Sequence, residues 1–438
     1  MYLRIFLSLL MQELVIIGTM QSSKMKVLKA PRFISSFDSS IFLYNFLFHF
    51  HSALLLFHAP LWGQTVLNTS SNYQSYTYIF ALLASSALTK PLGAMLLLFK
   101  KIRNHQSFGF QMTAFLQILS SLLFLLSLTP TNFKVLYFLL AKLLQGVALG
   151  CESSMIRMIF SQNHDRYIQR ITRYEMMCIF SYMGGSLFLE SETHPFNMIS
   201  FYVLISIFLG VHRLYLLKNK PFHILEKEQT IKLVTPEMVS WHQKMISVVY
   251  VVVLQFLYQI SFFFPFVLFQ MYASLMKIPL YPPVHEKMAI MVLFLWDAVC
   301  LVLIARFLRY KNMPKVFYTG IFLLMICIYF YGFINIKTSF FYIFILQMLT
   351  VFAGVCVMVP QMQWGFNALK EKVPHHLLAS SQGAIIHIAS ALWGRLLPLW
   401  AVFAIEKTNN LSQISYYALW ATLLSVFILI LNDHNLSK

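Results

Sequence analysis

Apolar residues run along this chain in long blocks, and the charged residues gather in the short stretches between them. A block near 20 apolar residues is long enough to cross a bilayer as a helix. Twelve such blocks are legible, over 40–61, 77–99, 108–129, 133–159, 174–190, 196–217, 244–272, 287–308, 314–335, 338–361, 377–404 and 412–432. The longest stretch between them, 218–243, is charged and divides the blocks six and six. The predicted fold is an all-α polytopic membrane protein with twelve transmembrane helices in two six-helix bundles. Its parts are an extension (1–39), a first bundle (40–217), a linker (218–243), a second bundle (244–432) and a tail (433–438).

The basic residues test that count. With the N-terminus in the cytoplasm, 24 Lys and Arg fall on inner segments and five on outer ones; Lys90, Lys142, Arg157 and Arg395 fall inside spans. The positive-inside rule expects such a bias, and an error of one span would scramble it. Both termini and the 218–243 linker are therefore expected in the cytoplasm, with the chain in a plasma membrane of the bacterial inner-membrane type. The same placement accounts for the formal charge of +18, so no nucleic-acid partner is expected. Composition agrees, because only 11% of residues are charged where a soluble chain has roughly a quarter.

The five cysteines all lie in apolar blocks without C-x-x-C spacing, so buried free thiols are expected, not a zinc site or disulfide framework. Residues 3–19 have a charged start and an apolar run, interrupted by Glu13 and lacking a small-residue cleavage site. They read as an amphipathic extension, or as sequence upstream of a start at Met25. His49, His51 and His58 make no convincing metal set, and no nucleotide-binding P-loop is present, so neither a metal, a cofactor nor a primary pump is expected.

Two stretches carry a family resemblance. "KPLG" at Lys90–Gly93 resembles the opening of the signature loop of the major facilitator superfamily, in the form used by its metabolite:proton symporter branch. That branch includes proline/betaine, α-ketoglutarate and shikimate carriers. "KLLQGVALGCE" places Lys142, Gln145, Gly146, Gly150 and Glu152 on the branch's fourth-span pattern without a gap, with Cys151 in place of a glycine. Asn45 and Ala59-Pro60 fit the first-span pattern. The departures are specific. The first-span acids fall on Phe48 and His51, the signature loop lacks its aspartate, and the fifth-span acid is missing near Ile179. The resemblance implies a monomeric secondary transporter of a small polar metabolite, a zwitterionic osmolyte or an organic acid, working by alternating access and open to proton coupling.

Ionisable groups within spans cost roughly 2.5–3.5 kcal/mol each on insertion scales, so each should have a partner or line water. Glu152, about 12 Å from the inner end of its span at 1.5 Å per residue, and Lys90 at similar depth are expected to meet, or Glu152 meets a proton or a cationic solute. Gly146 and Gly150 offer a small-residue face for close helix approach. Lys142 is a cavity candidate near mid-span; Arg157 is expected to snorkel to the inner surface. Asp297 and Arg395 are expected near the midplane, paired or jointly on solute. His51 replaces a family acid and is a candidate proton-linked group. Tyr258, Gln259, Gln361, Gln363 and Trp364 are further cavity candidates. Rival readings are a sensor or scaffold derived from a transporter, and a membrane-embedded acyltransferase built on His387, which has no companion acid nearby in sequence.

Overall fold

The computed structural model describes residues 32–99, 102, 106–129, 132–161, 167–187, 195–219, 241–276, 283–308, 312–335, 338–370 and 375–436. Among the described residues every regular element is helical. Lipid offers no water to backbone N–H and C=O groups, and a helix satisfies them within its own segment.

Among the described residues, twelve helical rods follow in chain order. The first half holds α1 (Arg32–Phe57, continued by Ala59–Val66), α2 (Asn72–Met95), α3 (Gln106–Leu126), α4 (Lys134–Ser161), α5 (Tyr167–Leu187) and α6 (Pro195–Asn219). The second half begins with α7, Trp241–Phe263, which runs through a π turn, Phe264–Leu268, into Phe269–Met276. Next come α8 (Pro283–Phe307), α9 (Met313–Tyr331) and α10 (Phe340–Lys370). Rod α11 is His375–Ala391, a second π turn at Leu392–Leu396, and Leu397–Thr408; α12 is Ser412–Leu436. The rods match the twelve predicted spans, and ten of them are long and apolar enough to cross a membrane. In α1 the described apolar stretch is shorter, Ile41–Phe57. Rod α5 opens on Arg170, Arg173 and Glu175, which interrupt its apolar run. The extension to residue 31 and linker residues 220–240 lie outside the described residues.

The two halves repeat one packing scheme. In the first, α1 packs on α5, α2 and α3 on α4, and α3 on α6; in the second, α7 packs on α11, α8 and α9 on α10, and α9 on α12. Between halves, α2 meets α11 and α5 meets α8, which are equivalent pairs under the same exchange. Such an internal two-fold repeat is how many secondary transporters are built, with the working site at the repeat interface.

Lipid-facing and buried positions alternate with helical period. On α6, Phe201, Leu204, Phe208, Val211 and Tyr215 are exposed, whereas Tyr202, Ser206 and Arg213 are buried. In membrane the apolar stripe faces out and the polar residues face neighbouring helices. The tightest approach is α2 against α4. A Cβ on Gly146 would strike the Ser86 carbonyl oxygen, one on Gly150 the Lys90 carbonyl, and one on Gly93 the Val147 carbonyl. Thr89 then donates to the Leu143 carbonyl at 2.9 Å across the same contact. The small-residue face read from Gly146 and Gly150 is thus the α2 contact. All five cysteines are free and buried.

Candidate functional site

A cavity of about 150 Å³ lies between the two halves. From the first half Lys90 of α2, Arg157 of α4 and Glu175 of α5 line it; from the second, Gln255, Tyr258 and His387 are among its walls. A smaller adjoining space shares Arg157, Glu175, Gln255 and Tyr258, and reaches Gln361. Gln361 donates its amide to Gln255 Oε1 at 2.8 Å, which fixes both side chains at that end. Across the halves, Ser153 Oγ of α4 lies 2.8 Å from His387 Nε2 of α11. The other end is bridged by aromatic rings. Tyr182 lies 5.3 Å from Phe262, Phe57 lies 6.1 Å from Phe294, and Phe266 stacks on Phe294 at 4.4 Å.

Both π turns touch this space, since Val267 of α7 and Gly394 of α11 line the cavity. A π turn widens the helix by one residue and loosens its hydrogen-bond ladder, and such turns gather at functional sites. Gln347 of α10 stabilises the first by donating to the Pro265 carbonyl at 2.9 Å. At the second, a Cβ on Gly394 would strike Gln259 Oε1, so glycine lets α7 and α11 close on each other.

The partner expected for Glu152 is corrected. Its carboxylate is held in a two-pronged ion pair by Arg213 of α6, at 2.9 and 3.0 Å, with both side chains 1% exposed. The guanidinium carbon sits 4.0 Å from the Tyr44 ring centroid, a cation–π contact that adds to the pair. The reason is angular. At about 100° per residue, Glu152 stands roughly 200° around α4 from Gly150. Gly150 faces α2, so Glu152 faces away from Lys90, into the first bundle. Matching depth gave the level correctly and the direction wrongly.

Lys142 and His51 are also placed inside the first bundle, away from the cavity wall. Lys142 is fully buried and donates to Gln145 Oε1 at 2.7 Å and to His51 Nδ1 at 3.1 Å. Gln145 Nε2 lies 3.1 Å from the same ring nitrogen. Two donors converge on Nδ1, so it is the acceptor and the neutral ring carries its proton on Nε2. The imidazole stacks on Tyr202 at 4.3 Å, and Gln117 and Ser206 extend the network from there. The three first-span histidines diverge: His49 lines the cavity, His51 joins this network, and His58 bonds the Gly185 carbonyl at 3.2 Å.

Other predicted residues divide. Of the cavity candidates, Tyr258 and Gln259 line the cavity and Gln361 the adjoining space; Lys90, expected to meet Glu152, lines the cavity instead. Arg157, expected at the inner surface, lines both spaces instead. Asp297 of α8 is buried and lies within electrostatic range of Tyr258 and Glu175. Arg395 lies on the second π turn, and its side chain is outside the described residues, as is that of Gln363. Trp364 packs on Phe317 of α9 at 4.9 Å. Glu175 was missed. The acid sought near Ile179 stands four residues earlier, one turn along the same face of α5.

The sequence matches no family model. No curated protein matches it either. The fold is shared with solved transporters. The xylose transporter XylE from E. coli, in an inward-open conformation, is 13% identical with a TM-score of 0.63, over 90% of this chain and 95% of that one. The human organic anion transporter MFSD10 (TETRAN) is 11% identical with a TM-score of 0.61, over 90% and 98%. A D-xylose-proton symporter is 14% identical with a TM-score of 0.61, over 90% and 97%. At such identities the likeness is one of fold.

Proposed function

We propose that this protein is a secondary transporter of a small polar metabolite, in which the two halves rock about the central cavity to expose it to one side and then the other. The observation that carries this reading is the cavity between repeats, with charged groups from α2, α4 and α5 facing polar groups from α7 and α11. Buried charge in a membrane interior is costly and is kept where it meets solute, ions or water. Lys90, Arg157, Glu175, Tyr258, Gln259 and Gln361 are the proposed solute path, with Asp297 and Arg395 flanking it from α8 and α11. Glu175 is the cavity carboxylate available to carry a proton, the role first considered for Glu152, and a proton symporter is among the proteins of the same fold.

The basic-residue bias supports cytoplasmic termini in a plasma membrane. Because the native cysteines are buried, labelling of Asn72→Cys and Asn219→Cys has little background. Opposite sidedness is expected; the same side for both would sink the topology. The function is tested by uptake into proteoliposomes under an imposed proton gradient. Glu175→Gln should cut gradient-driven uptake at least tenfold while exchange of internal for external solute persists. Uptake at the wild-type rate with unchanged pH dependence would remove Glu175 from coupling, and no uptake of any solute class by wild-type protein would favour the sensor reading.

A further inference from the structure

Rod α11 reaches from the second half onto the first, and its two parts are held differently. Below its π turn, His375–Ala391 packs along α2 and α4. A Cβ on Gly383 would strike the Ser154 hydroxyl and lie 3.4 Å from the Ala94 Cβ, so glycine lets α11 settle between the two helices. One helical turn on, His387 Nε2 meets Ser153 Oγ at 2.8 Å. Ser153 and His387 are both on the cavity wall. Gly383 and Ser154 stand roughly 10–12 Å from the helix ends that the basic-residue bias places inside, at 1.5 Å per residue. Ser154 Oγ is buried and has no hydrogen-bond partner among the described residues. Water would relieve that desolvation once α11 moved away.

Above this seam the helix is weakened. The π turn Leu392–Leu396 contains Gly394, and Pro398 follows it. Proline has no N–H, and its ring excludes the carbonyl four residues back, which is that of Gly394. Helices bend at such places. The π turn of α7 also holds a proline, Pro265, but all five of its residues are buried and Gln347 braces it through the Pro265 carbonyl. In the α11 turn, Leu392 and Leu396 are exposed. Beyond it, Leu397–Thr408 packs on α2 and α12.

Building on the transport reading, we propose that His375–Ala391 is a hinged gate, which swings about the α11 π turn away from α2 and α4 to open the cavity at its inner end. The Gly383 contact is its seat and the His387–Ser153 hydrogen bond its latch. Close packing and one hydrogen bond make a closure that is released more easily than the ion pair sealed inside the first half. Because the latch is on the cavity wall, a solute that takes Ser153 or His387 as its own partner competes with closure, and binding shifts the balance between the closed and open forms.

The test reads opening without requiring transport. Cys178 lines the cavity, and the other four cysteines are buried away from it. Labelling of Cys178 by a charged, water-soluble thiol reagent is followed in inside-out vesicles carrying the full-length chain, with the modified peptide identified by mass spectrometry. Where opening is fast, the rate follows the open fraction. Gly383→Leu, too large for the space between Ser154 and Ala94, should raise the rate roughly tenfold. His387→Leu should raise it about threefold, the effect of one average interhelical hydrogen bond. Pro398→Ala restores a backbone donor at the hinge and should slow labelling about threefold. In Gly383→Cys/Ser154→Cys the Cβ separation of 2.9 Å is a little under the roughly 3.5–4.5 Å of a disulfide, so a small shift allows oxidation to bridge them. The bridge should bring Cys178 labelling below the wild-type rate, and reduction should restore it; this variant carries the test if Gly383→Leu does not fold. Labelling that neither the wedge nor the bridge alters, or that rises only in right-side-out vesicles, would overturn the gate. A rate unaltered by Pro398→Ala would assign opening to rocking of whole halves and overturn the hinge. Uptake separates the two readings: persistent uptake by the bridged protein would keep the transporter and reject the gate, whereas bridge-sensitive labelling in a chain that takes up no solute would keep the gate and reject the transporter.

Discussion

The two halves share a packing scheme but are stabilised in different ways. Apart from the charges on the cavity wall, the first half buries two polar clusters within itself. Glu152 and Arg213 form a sealed pair, and Lys142, His51, Gln145, Tyr202 and Gln117 form one hydrogen-bonded network. The second half has an interior of aromatic rings, with Phe264 beside Tyr331 at 5.2 Å and Phe266 stacked on Phe294. It also carries both π turns. Lipid tails are as apolar as leucine, so apolar burial supplies little drive for helices to associate in a bilayer. Polar contacts and close backbone approach hold the first half in one geometry. Ring packing is less directional, so the second half is the better placed to bend.

The largest effect that breaks this comparison should come from the sealed pair. Glu152→Gln or Arg213→Met leaves one buried charge uncompensated, at a cost of roughly 3–5 kcal/mol. Melting in detergent should show a large drop for each single variant. The double variant should recover most of it, because two neutral side chains of similar size fill the same space. Lys90→Met should not rescue Glu152→Gln, since Lys90 faces the cavity; rescue would restore the pairing by depth that the structure rejects.

That distinction shows what the sequence carried. Span number, the six-and-six division and the small-residue face of α4 are all legible, because each depends on local pattern: apolar length, charge bias, small-residue spacing; that this face meets α2 is not. The direction of each buried charge depends on helix phase. Glu152 is seven residues from Gln145 and so shares its face, toward the bundle interior. Arg213 reads as a loop charge within the 24 inner basic residues, yet it lies eleven residues from Tyr202 and seven from Ser206, on the buried face of α6. The family position near Ile179 is a single residue, and Glu175 stands one turn before it on the same face of α5. Which second-half groups meet the first is set by the packing of α11 on α2 and α4, and no local pattern encodes that contact.

In the second half, Phe294→Ala removes a ring from the aromatic bridge. The loss should be about 2 kcal/mol, below the roughly 3–5 kcal/mol of a soluble core, because the unfolded reference is still in lipid and only packing is forfeited. Equal or greater loss than Glu152→Gln would erase the contrast between halves. Gly150→Ala is expected next, at roughly 1–3 kcal/mol for overpacking, since its Cβ would meet the Lys90 carbonyl. Its transport should fall further than its stability does, because displacing α2 moves Lys90 at the cavity wall.

The smallest effect sharpens the account of the first half. Ser206 receives an amide hydrogen from Gln117 at 3.0 Å and lies 2.9 Å from the Ser121 hydroxyl. Ser206→Ala removes a shared partner without opening space, since only one oxygen is lost. Interhelical hydrogen bonds in membrane proteins average about 0.6 kcal/mol, because the unfolded chain in lipid finds other partners. Gln117 also keeps its 2.7 Å bond to Tyr202, so the loss should sit near that average. A melting shift several times larger would mean that the network acts as one cooperative unit running from Ser121 to Lys142. In that case Ser206→Ala and Gln145→Leu would be non-additive in a double-mutant cycle, and the rigidity of the first half would reside in the network and not in the ion pair. Additive, small losses would leave Glu152 and Arg213 as its main lock.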